Sequence, residues 1–318
     1  MPDHPARRLW ATLETLHDVT YFAEGVRPAG IALGLRGFWM TYFAFRAAPL
    51  GPVPAGPVVA AFAGFQPAMV AKALPDAWSR TTPQACLEAR AAVSAAALRD
   101  AGADPGACDR AATILGPVAA AADPTGRPLF AANAAVVPPG DALGRLWQLA
   151  TTLREHRGDG HVAAMVSEGI TGLEAHLLQA AAGRFPQVVI RQVRGWSEEE
   201  WAGAADALCA RGLLSGDGTA SPDGAAGPAD GALSLTPAGR AVLTTIEAHT
   251  DERAWTGGLA ALGQQGVEEV LALLRPSARA VAASGILPEI NPTGLSYPAE
   301  GQGEPSTHRA RTRGFRGP

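Results

Sequence analysis

Apolar residues recur at helical spacing along most of the chain. The first run, residues 6–18, places Leu9, Leu13 and Leu16 on one face, which predicts a helix that packs through that face. Comparable runs predict helices over residues 31–48, 57–65, 66–74, 82–101, 104–122, 146–156, 162–167, 172–182, 186–194, 197–211 and 236–251. We assign a strand only to residues 233–235, so we expect a mainly α fold.

The pattern of a helix-turn-helix, two short helices joined by a tight turn, occurs twice, over residues 57–65 with 66–74 and over residues 186–194 with 197–211. In the second pair Ser197 is a capping residue and Glu200 stands at the capping-box position. The loop 215–231 and the strand 233–235 follow, which predicts a small β-wing. The first pair has no room for such a wing, because only seven residues separate Leu74 from Thr82.

Short matches that recur in the same order indicate an internal duplication of the chain. The matched segments are 8–10 with 145–147, 34–37 with 169–172, 58–59 with 188–189, 64–66 with 195–197, 82–83 with 236–237, and 115–117 with 274–276. Convergence in an Ala/Gly-rich composition is the alternative explanation. The duplication predicts two winged-helix-like repeats over residues 1–140 and 141–295, which meet at the Pro/Gly-rich connection 123–141. A disordered tail is expected over residues 296–318.

Composition and charge narrow the classes of partner. Hydrophobic residues make up 47% of the chain and aromatic residues only 6%, so Ala, Leu and Val must fill the interior. The net charge of -4 gives no overall basic field for nucleic acid. Three cysteines without CxxC spacing indicate reduced thiols and neither a disulfide framework nor a thiolate metal site. No run reaches membrane-spanning length and no secretory leader is recognisable, so we expect a cytoplasmic protein that has no membrane partner.

The densest set of reactive side chains lies in the sequence EHRGDGH, residues 155–161. Two glycines predict a tight turn there, which would point His156, Asp159 and His161 towards one region. Histidine suits proton transfer near neutral pH, and a carboxylate can orient an imidazole. His17, in the matching part of the first repeat, completes our candidate catalytic set. In the alternative interpretation, Asp159 only caps a helix and the histidines pack or lie exposed.

A crowded aromatic run predicts one wall of a pocket. Phe38, Trp39, Tyr42, Phe43 and Phe45 fall within two turns of one predicted helix, which equally suits an ordinary core. Our candidate ligand-binding residues are Tyr21, Trp39, Tyr42, Arg46 and Arg157, with Arg157 suited to an anionic substrate. Walker, GxGxxG, GxSxG and HExxH motifs are absent from the sequence. No metal site is therefore predicted, and the cofactor stays unknown.

Two resemblances add to this interpretation. The segment from Trp196 to Glu247 resembles the winged helix of MarR-type regulators. Residues 8–290 resemble a largely uncharacterised actinobacterial family of winged-helix proteins, through the motifs HDVTYF, GLRGFWMTYFAFRAAPLG, LREHRGDGHVAAM, GWSEEEW and LTPAGR. The MarR likeness implies dimers with ligand pockets between dimerisation helices and winged helices. A tandem duplication would build that arrangement within one chain, as a pseudodimer.

The charges argue against sequence-specific DNA as a partner, although the fold favours it. The second candidate recognition helix begins with Glu198, Glu199 and Glu200, and the wing loop carries three aspartates and no Lys or Arg. Carboxylates repel the phosphates that flank a major groove. We therefore expect a protein that binds, and by acid–base chemistry could transform, a small organic molecule between its repeats. The alternatives are a ligand-responsive DNA-binding regulator and a protein-interaction module using the acidic helix; further homo-oligomerisation is left open.

Overall fold

The computed structural model describes residues 4–216 and 233–288. Most of the predicted wing loop and the whole predicted tail lie outside these residues. The described chain is built almost entirely of helices, which confirms the mainly α fold class. None of its helices combines the length and the apolar character that a membrane-spanning segment requires.

Sixteen α-helices and one small sheet are present in the described residues. The helices are α1 Pro5–His17, α2 Val19–Phe22, α3 Val26–Ala32, α4 Gly37–Ala47, α5 Ala55–Phe62, α6 Pro67–Ala71, α7 Asp76–Arg80, α8 Pro83–Asp100, α9 Pro105–Ala121, α10 Pro128–Ala134, α11 Ala142–Ser167, α12 Gly172–Ala181, α13 Gln187–Arg194, α14 Glu198–Ala210, α15 Pro237–Thr256 and α16 Gly263–Ala283. Two short 3-10 helices cover Ala48–Leu50 and Leu259–Leu262. The strands β1 Leu214–Ser215 and β2 Ser234–Leu235 pair antiparallel, with Leu214 opposite Leu235.

Capping residues fix several helix starts where the sequence predicts them. The Thr82 hydroxyl accepts a hydrogen bond from the backbone N–H of Ala85, so α8 begins at Pro83. Ser197 and Glu200 form both bonds of a capping box at the start of α14. The predicted helix over residues 31–48 is instead divided into α3 and α4. Gly34 and Gly37, at the junction of these two helices, have φ angles of 80° and 66°. Such left-handed angles interrupt a helix, so one helix ends before the next begins.

The predicted turn in EHRGDGH is wrong, because α11 runs without a break through Gly158 and Gly160. Each glycine inside a helix destabilises the helix by roughly 1 kcal/mol relative to alanine. The sequence alone therefore favours a turn at these two glycines. Tertiary packing decides otherwise. The guanidinium of Arg127 lies against Gly160, where a Cβ atom would come within 2.7 Å of Arg127 Nη1. The glycine is therefore needed for a close approach and not for a bend.

Helix α11 joins two clusters of buried apolar residues. The larger cluster draws on α1, α4, α8, α9, α16 and the first half of α11, including Leu146 and Trp147. The smaller cluster contains Ala164 and Met165 from the end of α11 together with α12, α14 and the short sheet. The larger cluster therefore includes residues from both sides of residue 140.

The long helices pack in reciprocal pairs. Helix α1 packs against α16, and α11, which corresponds to α1 in the proposed duplication, packs against α9. Helices α1 and α11 also contact each other, as do α9 and α16. Pro117 lies inside α9 and Pro276 inside α16, at matched positions of the duplication.

Candidate ligand-binding cavity

A cavity of about 230 Å³ lies where α1, α5 and α12 meet the second half of α11. Helix α11 contributes Arg154, Arg157, Gly158, His161 and Met165 to its wall. These residues recur at intervals of one, two and three helical turns, so they share one face of the helix. The aromatic rings of Trp10, Phe62 and Phe185 supply apolar surface. The cavity thus has an apolar body and a row of ionisable groups along one side.

The turn after α5 closes one side of the cavity. Ala63 adopts a φ of 53°, which is unusual for a residue with a side chain. The carbonyl of Gly64 accepts hydrogen bonds from His176 Nε2 and Trp196 Nε1, both at 3.1 Å. A Cβ atom on Gly172 would lie 1.9 Å from the Ala63 oxygen, so α12 and this turn are in direct backbone contact.

The two helix-turn-helix pairs touch each other beside the cavity. The backbone N–H of Gln66, which caps α6, donates to the carbonyl of Arg194 at 3.0 Å. The Gln66 side chain donates to Glu200 Oε1 at 3.1 Å. Gln66 precedes α6 and Glu200 lies in the first turn of α14. The starts of the two candidate recognition helices are therefore joined by a direct hydrogen bond between side chains.

Four charged side chains form a buried cluster on one flank of the cavity. Arg46 Nε lies 3.0 Å from Glu155 Oε1, and Arg154 Nε lies 3.1 Å from Glu14 Oε1. Arg154 Nη1 is also 2.9 Å from Glu155 Oε2. Burial alone would raise the pKa of Glu155, but Arg154 and Arg46 outweigh it and bring that pKa to about 2. The two arginines and the two glutamates therefore balance each other within the cluster.

A second cluster lies on the flank formed by α1 and α15. Arg157 Nη2 lies 2.8 Å from Asp251 Oδ1 and 3.3 Å from Glu247 Oε2. Arg7 also pairs with both acids, at 2.7 Å. The guanidinium of Arg157 stacks over the Trp10 ring, 4.3 Å from its centroid. Two arginines and two carboxylates again balance each other.

His161 is the one predicted catalytic residue that lines the cavity. The Thr250 hydroxyl donates to the Ile246 carbonyl, so it accepts a hydrogen bond from His161 Nδ1–H, with the two atoms 3.1 Å apart. This arrangement assigns the tautomer and leaves the Nε2 lone pair available. Burial lowers the pKa of His161, so the imidazole is neutral near pH 7.

The expected grouping of His156 and Asp159 with His161 is wrong. Both residues lie on the opposite face of α11, because a helix turns about 100° per residue. The His156 ring packs edge-on against Phe130, and Asp159 Oδ2 accepts the Phe130 N–H at 2.9 Å. Burial, with a contribution from Arg127, lowers the pKa of His156 to about 4. Burial raises the pKa of Asp159 to about 6.

His17 belongs to the core beside the cavity and does not line it. Thr151 donates its hydroxyl proton to the Trp147 carbonyl, so it accepts from His17 Nδ1–H at 2.9 Å. His17 Nε2 therefore accepts from the Tyr21 hydroxyl at 3.1 Å. Burial lowers the pKa of His17 well below its usual value. A neutral histidine with a hydrogen bond at each ring nitrogen fits a structural role.

The predicted ligand-binding residues divide into two groups. Arg46 and Arg157 line the cavity. Tyr42 stands behind Arg46, whose Nη1 donates to its hydroxyl at 3.3 Å, and Tyr21 packs on Tyr42 with ring centroids 4.9 Å apart. Trp39 packs against the rings of Tyr42, Phe43 and Phe65 in the aromatic core. Arg46 therefore separates this aromatic core from the cavity.

Sequence reasoning missed several residues of the cavity wall, namely Glu14, Arg154, His176, Gln179 and Arg194. The signal for Arg154 was its spacing from Arg157 and His161, which is visible only if residues 145–165 are treated as one helix. The others come from distant parts of the chain. Across residues 4–216 and 233–288, no three His, Cys, Asp or Glu side chains are grouped as metal ligands would be.

Comparison with known proteins gives a family but no characterised relative. The model of a helix-turn-helix family matches residues 6–288, nearly the whole described chain. No curated protein and no solved structure matches the chain.

Proposed function

Because the chain belongs to this helix-turn-helix family, we propose that it binds a small organic molecule in the cavity between its two winged-helix-like repeats. The observation that carries the proposal is the cavity itself. It has about 230 Å³, an apolar body and several polar groups aimed inward. Sites for small molecules combine these features. If the bound molecule is also transformed, the acid–base group would be Nε2 of His161.

A single-chain pseudodimer is the arrangement that we propose for the repeats. Two observations support it. The first helix of each half packs against the last helix of the other half. The matched segments 64–66 and 195–197 also contact each other beside the cavity, where Trp196 Nε1 donates to the Gly64 carbonyl. A twofold axis brings equivalent elements together in this way.

The family relationship also favours the alternative, a ligand-responsive DNA-binding regulator of MarR type. Recognition helices of a dimer occupy half-sites about 34–36 Å apart. In this conformation the starts of α6 and α14 are instead joined through Gln66 and Glu200. Glu198 and Glu199 are exposed on α14. Fluorescence anisotropy with DNA from upstream of the protein's own gene, at low and at physiological salt, tests the alternative. Tight binding that weakens steeply with salt would establish the regulator.

Filling the cavity tests the main proposal. Gly158 lines the cavity, and a Cβ atom there meets no atom closer than 3.4 Å, so Gly158→Leu projects its side chain into the open space. Gly203→Leu is the matched control, because Gly203 is an exposed helical glycine of α14 with free space around it. Fragments found by fluorine NMR screening should bind the wild type and Gly203→Leu and should lose binding to Gly158→Leu. Equal binding to all three proteins would place the ligand elsewhere.

A further inference from the structure

Arg194 differs from the other buried arginines of the cavity wall in having no carboxylate. Arg46 and Arg154 are balanced by Glu14 and Glu155, and Arg157 shares Glu247 and Asp251 with Arg7. Among the described residues, no carboxylate oxygen lies within 4.0 Å of the Arg194 guanidinium. Across residues 4–216 and 233–288, the cavity wall therefore carries an excess of positive charge.

The surroundings of Arg194 hold its guanidinium in place without satisfying it. The guanidinium carbon lies 4.2 Å from the centroid of the Phe65 ring. The guanidinium lies within hydrogen-bonding reach of the Tyr42 side chain, and its Nε is buried with no acceptor among the described residues. Burial lowers the pKa of Arg194, whereas the neighbouring glutamates raise the pKa values of Arg46 and Arg154. A guanidinium in the cavity wall without a carboxylate of its own can pair with the two oxygens of a ligand carboxylate.

From this geometry we infer that the ligand is a small organic carboxylate, whose charged group pairs with Arg194 and whose apolar part lies against Phe62 and Phe185. The inference rests on the proposed function and adds the chemical class of the ligand. A monocarboxylate fits because Arg194 is the single partly or fully buried arginine of the wall without a carboxylate partner in the described part of the chain. The second uncompensated arginine of the wall, Arg184, is exposed and already hydrated.

Two probes of the same shape test the charge requirement. Fluorine NMR would measure the affinity of the full-length protein for 4-fluorobenzoate and for its neutral counterpart 4-fluorobenzamide. We expect the wild type to prefer the carboxylate about tenfold or more, the range for a hydrogen bond to a charged group. Arg194→Gln should abolish this preference and leave the amide affinity unchanged, and Arg194→Lys should restore part of it.

The matched control is Arg191→Gln, on the same helix but paired with Glu198 and absent from the cavity wall. It should change neither affinity. If the wild type binds both probes equally, or if Arg194→Gln keeps the preference, the carboxylate inference is wrong while ligand binding stands. If the only fragments that bind are neutral, and Gly158→Leu removes their binding, the carboxylate inference is wrong and the proposed ligand-binding function stands. If no probe or fragment binds, both proposals fail.

Discussion

The two faces of α11 between residues 154 and 161 use polar residues in opposite ways. On the cavity face, Arg154, Arg157 and His161 border open space. On the opposite face, His156 and Asp159 are packed against α10 and Arg127. Both faces arise from the same eight residues, so chemical composition alone does not distinguish them. Open space beside a polar group, and not the polar group itself, marks the candidate site.

Arg127 shows why the packed face behaves as structure. Its guanidinium donates to the carbonyls of His156 and Arg253, and so joins α11 to the end of α15. The side chain is 9% exposed. Such a group stabilises the fold only while its partners are in place, since a buried polar atom without a partner is costly.

The largest expected effect is the loss of stability in Arg127→Met. Two hydrogen bonds from a charged donor disappear, so the free energy of unfolding should fall by about 3 kcal/mol. Arg194→Gln, which removes the cation–π contact with Phe65, should lower it by about 1 kcal/mol or less. Urea denaturation followed by circular dichroism measures both values. Equal losses in the two variants would contradict the distinction between the faces.

A smaller effect concerns pH and Asp159. Burial raises the pKa of this carboxyl to about 6 in the folded protein, above its usual value of about 3.9. The folded state therefore binds this proton more tightly, and the resulting stabilisation is present below pH 4 and is lost as the pH rises through 6. Asp159→Asn has no such loss. Its stability relative to the wild type should increase by about 2 kcal/mol between pH 4 and pH 7.

Urea denaturation at a series of pH values checks this prediction. The folded-state pKa of His156 is lowered to about 4, so that residue destabilises the fold as the pH falls from 6.5 to 4, in both proteins alike. The difference between the variant and the wild type therefore isolates Asp159. A difference that does not change with pH would show that the carboxyl titrates normally.

The smallest effect compares two glycines of the same helix. Gly160→Ala forces the Arg127 guanidinium aside and should destabilise the protein by about 1–2 kcal/mol. Gly158→Ala adds a methyl group whose nearest neighbour, Glu155 Oε2, is 3.4 Å away, so it should stabilise the helix by about 0.5–1 kcal/mol. Thermal unfolding should show a lower melting temperature than the wild type for Gly160→Ala and a higher one for Gly158→Ala. Stabilisation by both substitutions would mean that Arg127 does not depend on the close approach to Gly160.

Local signals in the sequence were sufficient for most helices and for part of the site. The apolar spacing of α1 and the capping residues Thr82 and Ser197 depend only on near neighbours in the chain, so their predictions are confirmed. The continuity of α11 depends on Arg127, which is far from Gly160 in sequence. Helix propensity favours a turn at two close glycines, and only the packed structure reverses that preference.

The candidate site was harder to predict, because the cavity wall collects residues from Trp10 to Glu247. Arg157 and His161 were found through their chemistry, and Arg46 through its position beside the aromatic run. Arg194 has no distinguishing neighbour in the sequence. What singles it out is the lack of a carboxylate nearby, a property of the folded surroundings. The assignment of catalytic roles to His17, His156, Asp159 and His161 stays a prediction, with His161 placed best to fulfil it.

The packing of α1 against α16 has a consequence for the order of synthesis. The apolar face of α1 leaves the ribosome first, whereas Leu271 and Leu274 of α16, which belong to the same cluster, follow roughly 250 residues later. At translation rates of about 5–20 residues per second, α1 waits roughly 10–50 s for its partner. Helix α1 can pack against α11 before then, but the larger cluster stays incomplete on the nascent chain until translation reaches α16.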